Sequence, residues 1–155
     1  DSYGDLYYKL KKIGADLVYD TVNNIIENKI NLKPQINTAK LNSANKLNKE
    51  NCRIDWSMNA SKIYNKIRGL SPYPGANCFL NHKNESLKII IYSSKIEIES
   101  HQLNSGEIII ERKQIKIATN DGFLIPKEIK VQGKKRMNIS DLMNGFKFDV
   151  SSKFI

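Results

Sequence analysis

Cysteine and histidine are scarce in this sequence, with two residues of each among 155. Cys52 and Cys78 belong to no CxxC pair and to no Cys/His group with zinc spacing, so we expect no metal site and two free, buried thiols. His82 and His101 have no Asp, Ser or Cys motif around them that would indicate nucleophilic catalysis. Both histidines are therefore expected on loop or strand surfaces.

Long apolar runs are also absent. The longest, residues 89–92, has the length of a strand and falls far short of the roughly 18 to 20 apolar residues that cross a bilayer. The first residues, DSYGDLYYKLKK, carry acidic residues and tyrosines where a signal peptide needs a basic start and an apolar middle. We therefore expect a cytoplasmic protein with no membrane partner.

Positive charge is in excess, with 25 Lys and Arg against 16 Asp and Glu and a net charge of +9. Two segments hold this excess: residues 33–81 have eight basic residues against two acidic ones, and residues 127–136 have five against one. Concentrated cations suit a polyanion, because each one that neutralises a phosphate releases condensed counterions. Nucleic acid is the favoured partner, and a pair of solvated basic loops is the alternative.

Helical periodicity opens the chain. Apolar residues recur at spacings of three and four over residues 3–13 and again over residues 17–26, with Gly14 between the two stripes. The helical pattern is expected to end near Lys29. Residues 31–54 are rich in Asn, Lys and Ser and poor in large apolar residues, which is typical of a linker.

A further helix follows this linker, with an oxygen for its N-cap at Asp55 or Ser57 and its end soon after Arg68. Spacings of four, three and four separate the residues of its apolar face. These residues are Trp56, Ala60, Ile63 and Ile67. The pattern favours a core position for the tryptophan over a role as a base-stacking platform.

The hydrophobic period changes from about 3.6 to 2 in the second half of the chain. Five short strands are predicted, at residues 87–92, 95–101, 106–112, 114–119 and 123–131. A short closing helix is predicted from Ser140 to Asn144. The expected fold is mainly β with helices: a small OB-like Greek-key β-barrel, preceded by an N-terminal helical segment and an extended linker.

Four sequence motifs follow one another between residues 46 and 145. KLNKENCRIDWS (46–57) and NKIRGLSPYPGA (65–76) resemble the linker and domain entry of the methionyl-tRNA formyltransferases, KLxKExxxIDW followed by a helix and an IRxxxPxPGA turn. IKIATNDGFLIPKEIKVQGKKRM (115–137) resembles that family's barrel end, and SDLMNG (140–145) its closing helix. GDLYYKLKKIGADLV (4–18) also resembles the last helices of its catalytic domain.

The resemblance implies three parts of the chain. Residues 1–30 would be a helical remnant of the N-terminal formyltransferase domain, residues 31–54 a basic linker, and residues 55–155 the C-terminal OB-like barrel domain. The parent enzyme would formylate the amino group of methionyl initiator tRNA with 10-formyltetrahydrofolate as donor. Initiator methionyl-tRNA and the missing N-terminal catalytic domain are thus the implied partners.

Catalysis belongs to the other half of such an enzyme. In the family the catalytic Asn, His and Asp and the SLLP loop lie in the N-terminal domain, and this sequence contains no SLLP and no histidine with matching surroundings. We therefore expect no catalytic residue in this chain, no cofactor bound by it, and no activity from it alone. A second possibility stays open: the C-terminal domain of a nucleotide-sugar formyltransferase, which has no RNA partner.

Seven basic residues are predicted to bind RNA. Four lie in or beside the element that resembles the family's basic linker, and three form the densest cluster, in a loop that follows a strand and a glycine. The predicted contacts are Lys40, Lys46, Lys49, Arg53, Lys134, Lys135 and Arg136. The alternative for each is a solvated side chain that binds nothing.

Overall fold

The computed structural model describes residues 1–36, 43–149 and 151–155. The elements in these ranges are α1 (Tyr3–Ile26), α2 (Ala60–Leu70), β1 (Ala76–His82), β2 (Glu85–Glu97), β3 (Ile108–Glu111), β4 (Gln114–Ala118), β5 (Phe123–Val131), β6 (Met137–Asn138), α3 (Ile139–Gly145) and β7 (Lys153–Phe154). Among the helices so described, none is long and apolar enough to span a membrane.

One antiparallel sheet forms the body of the molecule, with strand order β3-β4-β5-β2-β1-β7 and β6 added to β5. The two ends of this sheet meet, because the Phe154 N–H donates to the Gly106 carbonyl at 2.9 Å and Glu107 forms a bridge with Lys153. The sheet is therefore a nearly closed barrel, which leaves few unpaired edges. This architecture confirms the predicted class, a mainly β barrel with helices.

The strands agree with the sequence prediction in the second half of the barrel and differ in the first. The prediction of two strands at residues 87–92 and 95–101 is wrong, because one long strand, β2, runs to Glu97. A register shift at Ser93 and Ser94 bends it, so the Ser-Ser pair marks a bulge rather than a turn. Strand β1 is absent from the prediction, since small and polar residues weaken its alternating pattern.

Helix α2 starts later than predicted, and its first turn is capped by a residue that is distant in the sequence. The N–H of Ala60 donates to Asp121 Oδ1 at 2.7 Å, from the turn between β4 and β5. The predicted caps are wrong: Ser57 donates to Asp55 through both its N–H and its hydroxyl, and neither side chain caps the helix. Trp56 precedes the helix and is buried, as expected for a core residue.

The core lies between α2 and the concave side of the sheet. The buried face of α2 consists of Ala60, Ile63, Ile67 and Leu70. This face packs mainly against β2, and Trp56 meets Phe154 of the last strand edge to face, with ring centroids 5.6 Å apart. Each fully buried Ile contributes on the order of 1.5 to 3 kcal/mol to the free energy of unfolding.

Helix α1 is continuous across Gly14, where the sequence suggested an interruption, because one glycine costs a helix only about 1 kcal/mol. Ser2 and Asp5 form a capping box at its start. The helix is tied to the barrel at that end, where the Gly4 N–H donates to the Ser71 carbonyl at 2.9 Å. None of its residues is buried.

Candidate nucleic-acid interface

The alternation of residues 88–92 in β2 separates a core side from a solvent side of the sheet. Ile89 and Ile91 are fully buried. Because successive side chains of a strand point to opposite faces, Lys88, Ile90 and Tyr92 point outward. A lysine therefore stands in the middle of the barrel's outer surface.

Neighbouring strands extend this surface. On β1, Asn77 is the cross-strand partner of Ile90 and Phe79 is the partner of Lys88. On β5, Lys130 is the partner of Ile90 on the other side. Residues in register share a face, so all five side chains lie on one side of the sheet. We call this surface the outer face; its members are Asn77, Phe79, Lys88, Ile90, Tyr92 and Lys130.

Residues 46–53, here called the strap, are attached to the edge of this face by a single asparagine. The Ile54 N–H donates to the Asn77 carbonyl at 2.8 Å, and the Asn77 N–H donates to the Cys52 carbonyl at 3.0 Å. The Asn77 side chain adds a third bond, from Nδ2 to the Lys49 carbonyl at 3.2 Å. Since Cys52 and Ile54 are also buried, the strap is fixed in register against β1.

A second set of hydrogen bonds shapes the strap itself. Asn48 Oδ1 accepts from the N–H groups of Glu50 and Asn51, at 3.0 and 2.8 Å. In return, Asn51 Oδ1 accepts from the Asn48 N–H, and Asn51 Nδ2 donates to the Lys46 carbonyl, both at 2.8 Å. Such asparagine turns replace backbone pairing with side-chain bonds. The backbone that carries Lys46 and Lys49 is therefore ordered although it is outside the sheet.

The turn of residues 132–136, at the end of the second basic segment, joins the same surface through Lys88. The Gln132 N–H donates to the Lys88 carbonyl at 2.8 Å, and the Lys88 N–H donates to Gln132 Oε1 at 3.3 Å. The Lys134 N–H then closes the turn on the Val131 carbonyl at 2.9 Å. Lys88 thus stands between the strap and this turn.

A cleft of about 230 Å³ separates the strap from the outer face. Lys49 lines it from the strap, Lys88 and Ile90 from β2, and Tyr73 from the turn between α2 and β1. The cleft and the turn of residues 132–136 therefore have Lys88 in common. The strap and the 132–136 turn therefore both lie next to Lys88.

Five of the seven predicted contacts are exposed: Lys46, Lys49, Arg53, Lys134 and Lys135. Within residues 1–36, 43–149 and 151–155, none of the five forms an ion pair. The guanidinium of the arginine lies 5.5 Å from the centroid of the outer-face ring of Phe79. The sixth prediction, Lys40, lies outside the described residues.

Arg136, the seventh predicted contact, forms an ion pair within the protein. Its Nε and Nη2 donate to the two carboxylate oxygens of Glu128, both at 2.6 Å, and its guanidinium lies 4.2 Å from the centroid of the Tyr92 ring. A bidentate pair stacked on an aromatic ring is a geometry that arginine favours. Arg136 therefore orders the turn, and a phosphate would have to compete with Glu128 for it.

The sequence analysis did not identify three residues of this surface. Lys88 and Lys130 could have been found, since the alternation of their strands assigns them to the outward side. Asn77 carries no recognisable signal, because asparagine is frequent in this sequence and the pattern of β1 does not indicate a strand.

The Arg136 guanidinium lowers the pKa of Glu128 from its ordinary value of 4.5, chiefly by hydrogen bonding. We expect Arg136→Gln to raise this pKa, measured by NMR titration of the carboxyl. A carboxyl with a lowered folded pKa stabilises the fold above its unfolded pKa and loses that contribution as the pH falls. The variant should therefore lower the free energy of unfolding more at pH 7 than at pH 3.

Lys135→Gln is the matched control, because it removes the same charge from the same turn and its side chain forms no bond to Glu128 within the part of the chain that is described. It should shift the Glu128 pKa much less. An equal pKa in the wild type and in Arg136→Gln would contradict the assigned ion pair.

Comparison with known proteins agrees with the motifs. Residues 46–147 match the family model described as formyl transferase, C-terminal domain. The chain is 41% identical over 99% of its length to the methionyl-tRNA formyltransferase of Flavobacterium johnsoniae, and 37% identical over 96% to that of Flavobacterium psychrophilum. It covers 49% and 47% of these two proteins, so it spans about half the length of the curated relatives it matches.

Solved structures share the fold. A multiply substituted variant of HypX from Aquifex aeolicus matches with a TM-score of 0.56 and 20% identity, over 86% of this chain and 24% of that one. HypX in complex with tetrahydrofolic acid matches with a TM-score of 0.55 and 18% identity, over the same shares. The family model covers most of the barrel and the curated relatives cover the whole chain, so this chain belongs to the formyl transferase C-terminal domain family and the resemblance seen in its motifs is confirmed.

Proposed function

We propose that this chain is the tRNA-binding C-terminal part of a methionyl-tRNA formyltransferase, and that its outer face, strap and 132–136 turn together hold the phosphate backbone of initiator tRNA. One observation carries the proposal: the strap and the 132–136 turn, which are far apart in sequence, both lie next to Lys88. The names of the curated relatives support tRNA as the polyanion.

The physical reason is the cost of like charges at close range. Neighbouring strands lie about 4.8 Å apart, less than the Debye length of about 8 Å at physiological salt, so cations on adjacent strands repel one another. Lys88 on β2 and Lys130 on β5 are such neighbours, and the strap and the turn add Lys46, Lys49, Lys134 and Lys135 to the proposed surface. A phosphate track removes this repulsion and releases counterions, and flexible lysines suit a backbone contact that reads shape rather than base sequence.

The alternative, a nucleotide-sugar formyltransferase domain without an RNA partner, is less favoured. A domain without an RNA partner would leave the basic residues of the strap and the 132–136 turn without a polyanion to bind. Three relatives that match 96 to 99% of this chain are named methionyl-tRNA formyltransferase. Binding to tRNA at low salt discriminates between the two.

Helix α1 supports a division of the chain into three parts, namely residues 1–30 as the end of the N-terminal formyltransferase domain, 31–54 as the linker and 55–155 as the barrel domain. Twelve large apolar side chains of α1 are exposed: Tyr3, Leu6, Tyr7, Tyr8, Leu10, Ile13, Leu17, Val18, Tyr19, Val22, Ile25 and Ile26. An apolar surface of this extent marks an interface. Its proposed occupant is the N-terminal half that the relatives possess and this chain does not include.

The remaining steps of the reaction are assigned to that N-terminal half. We propose that it binds a folate-linked formyl donor, 10-formyltetrahydrofolate, and transfers the formyl group to the α-amino nitrogen of the methionyl ester. The tetrahydrofolic acid complex of HypX supports a folate-linked donor. The role of this chain is to hold the tRNA so that its aminoacyl end reaches the catalytic half, in the cytoplasm where charged tRNA is used.

The proposal is tested by filter binding of the 155-residue chain to formylatable initiator tRNA at several salt concentrations. The logarithm of the affinity should fall linearly with the logarithm of the salt concentration. Lys134→Gln combined with Lys135→Gln should weaken binding and reduce the slope by about 1 for each phosphate that is no longer neutralised. Lys83→Gln combined with Lys113→Gln is the control, since these exposed lysines lie in two other turns.

Two outcomes would contradict the proposal at different levels. Absence of tRNA binding at low salt would indicate the nucleotide-sugar branch. Equal slopes for the wild type and the Lys134/Lys135 variant would remove the 132–136 turn from the binding surface.

The proposed interface of α1 is tested with a thiol introduced by Leu17→Cys, at a position that is 63% exposed. The native Cys52 and Cys78 are buried and should react slowly. We expect a water-soluble maleimide to modify the new thiol rapidly in the 155-residue chain and slowly in the full-length protein, where the N-terminal half covers it. Lys113→Cys should react rapidly in both, and equal rates for Leu17→Cys would contradict the interface.

A further inference from the structure

Tyr73 occupies the tip of the turn between α2 and β1 and is 78% exposed. The turn that carries it is closed by a hydrogen bond from the Gly75 N–H to the Leu70 carbonyl at 2.9 Å. A second bond, from the Gly4 N–H to the Ser71 carbonyl at 2.9 Å, ties the same turn to α1. An aromatic ring is thus presented to solvent by a segment that is held on both sides.

Close packing also fixes this turn against the outer face. Gly75 has φ +85°, and a Cβ there would lie 2.5 Å from Cγ2 of Ile90, so the turn backbone rests directly on β2. On the other side, a Cβ on Gly4 would lie 2.7 Å from Cδ of Pro72. The turn is therefore packed against β2 on one side of Tyr73 and against α1 on the other. These contacts hold the Tyr73 backbone in place without a ligand.

The ring borders the cleft of about 230 Å³ between the strap and the outer face. Two lysines, Lys49 and Lys88, line this cleft beside it, and the aliphatic residues Leu47 and Ile90 are also part of its lining. The volume is below the roughly 300 to 1,000 Å³ of pockets that enclose drug-sized molecules. A site with one aromatic face, two cations and little depth suits a single flat group joined to anions.

We propose that Tyr73 stacks on one unpaired base of the bound RNA while Lys49 and Lys88 contact the phosphates next to that base. This inference rests on the proposed tRNA function and adds a subsite to it. Every base has a π face, and stacking on an aromatic side chain is tolerant of sequence. A base inside an A-form helix is covered on both faces by its neighbours, so the ligand is a nucleotide from a single-stranded region.

Packing of Tyr73 against another protein surface is the competing use of an exposed ring. An apolar partner would desolvate the ammonium groups of Lys49 and Lys88 without supplying a counter-charge, which is costly. A nucleotide supplies both the flat apolar group and the charge, so the whole lining favours RNA.

The test compares two RNA probes, a 12-nucleotide single strand of mixed sequence without self-complementarity and a blunt 12-base-pair duplex, each titrated against the 155-residue chain. Tyr73→Ala should weaken binding of the single strand about 5- to 150-fold, the range expected for one base stack, with an unchanged salt slope. Binding of the duplex should not change. Tyr73→Phe should keep the affinity, and Tyr73→Leu should lose it, because a bulky side chain without a ring cannot stack.

Two further variants separate stacking from charge and from surface effects. Lys88→Gln should reduce the salt slope by about 1, whereas Tyr73→Ala should leave it unchanged. Tyr19→Ala removes a tyrosine of similar exposure, 70%, from α1 and should bind both RNAs like the wild type. The thermal midpoint of Tyr73→Ala should equal that of the wild type, since the ring is exposed.

The outcomes that overturn the inference differ from those that overturn the proposed function. If the wild type binds neither RNA nor initiator tRNA at low salt, the proposed function fails. If the wild type binds RNA with the expected salt dependence but Tyr73→Ala binds the single strand equally well, only the stacking site fails. Restored binding in Tyr73→Leu, or equal losses for single strand and duplex, would also exclude stacking and would indicate that Tyr73 supports the strap.

Discussion

The exchange of backbone hydrogen bonds between Asn77 and residues 52–54 determines where the basic strap lies. Without it, residues 46–53 would be a polar segment with few apolar anchors and no defined place on the barrel. With it, two buried side chains, Cys52 and Ile54, hold the segment against β1. The buried Ile89 and Ile91 point the side chain of Lys88 outward. The strap lies beside this lysine across a shared cleft, so its basic residues and Lys88 are neighbours.

Charge on this surface is arranged in two different ways. The lysines of the strap, of β2 and β5 and of the 132–136 turn add positive charge to the proposed surface, which favours binding of an anion. Arg136 is the exception, since Glu128 and Tyr92 hold it in a stacked ion pair. That pair gives the turn its shape, so its two lysines are presented by an ordered backbone.

Local patterns in the sequence predicted most of the fold. Helix α1, strands β3 to β5 and the closing helix follow from periodicity within each segment. What could not be predicted depends on pairing between distant residues: Asp121 caps α2 from 61 positions away, and β1 has Ala and Cys at inward positions where a strand signal needs large β-branched residues. The seven candidate cations were chosen by charge density and resemblance, whereas the position of the strap beside the outer face depends on its pairing with β1, which no local pattern reveals.

Lysine footprinting tests the central claim most directly. The 155-residue chain is acetylated with and without initiator tRNA, and the modified lysines are quantified by mass spectrometry. We expect tRNA to protect the six lysines of the outer face, strap and turn, and to leave four lysines elsewhere unprotected. The first group is Lys46, Lys49, Lys88, Lys130, Lys134 and Lys135; the second is Lys11, Lys12, Lys83 and Lys113. Equal protection of both groups, or protection of only one of the two basic segments, would contradict a single RNA-binding face.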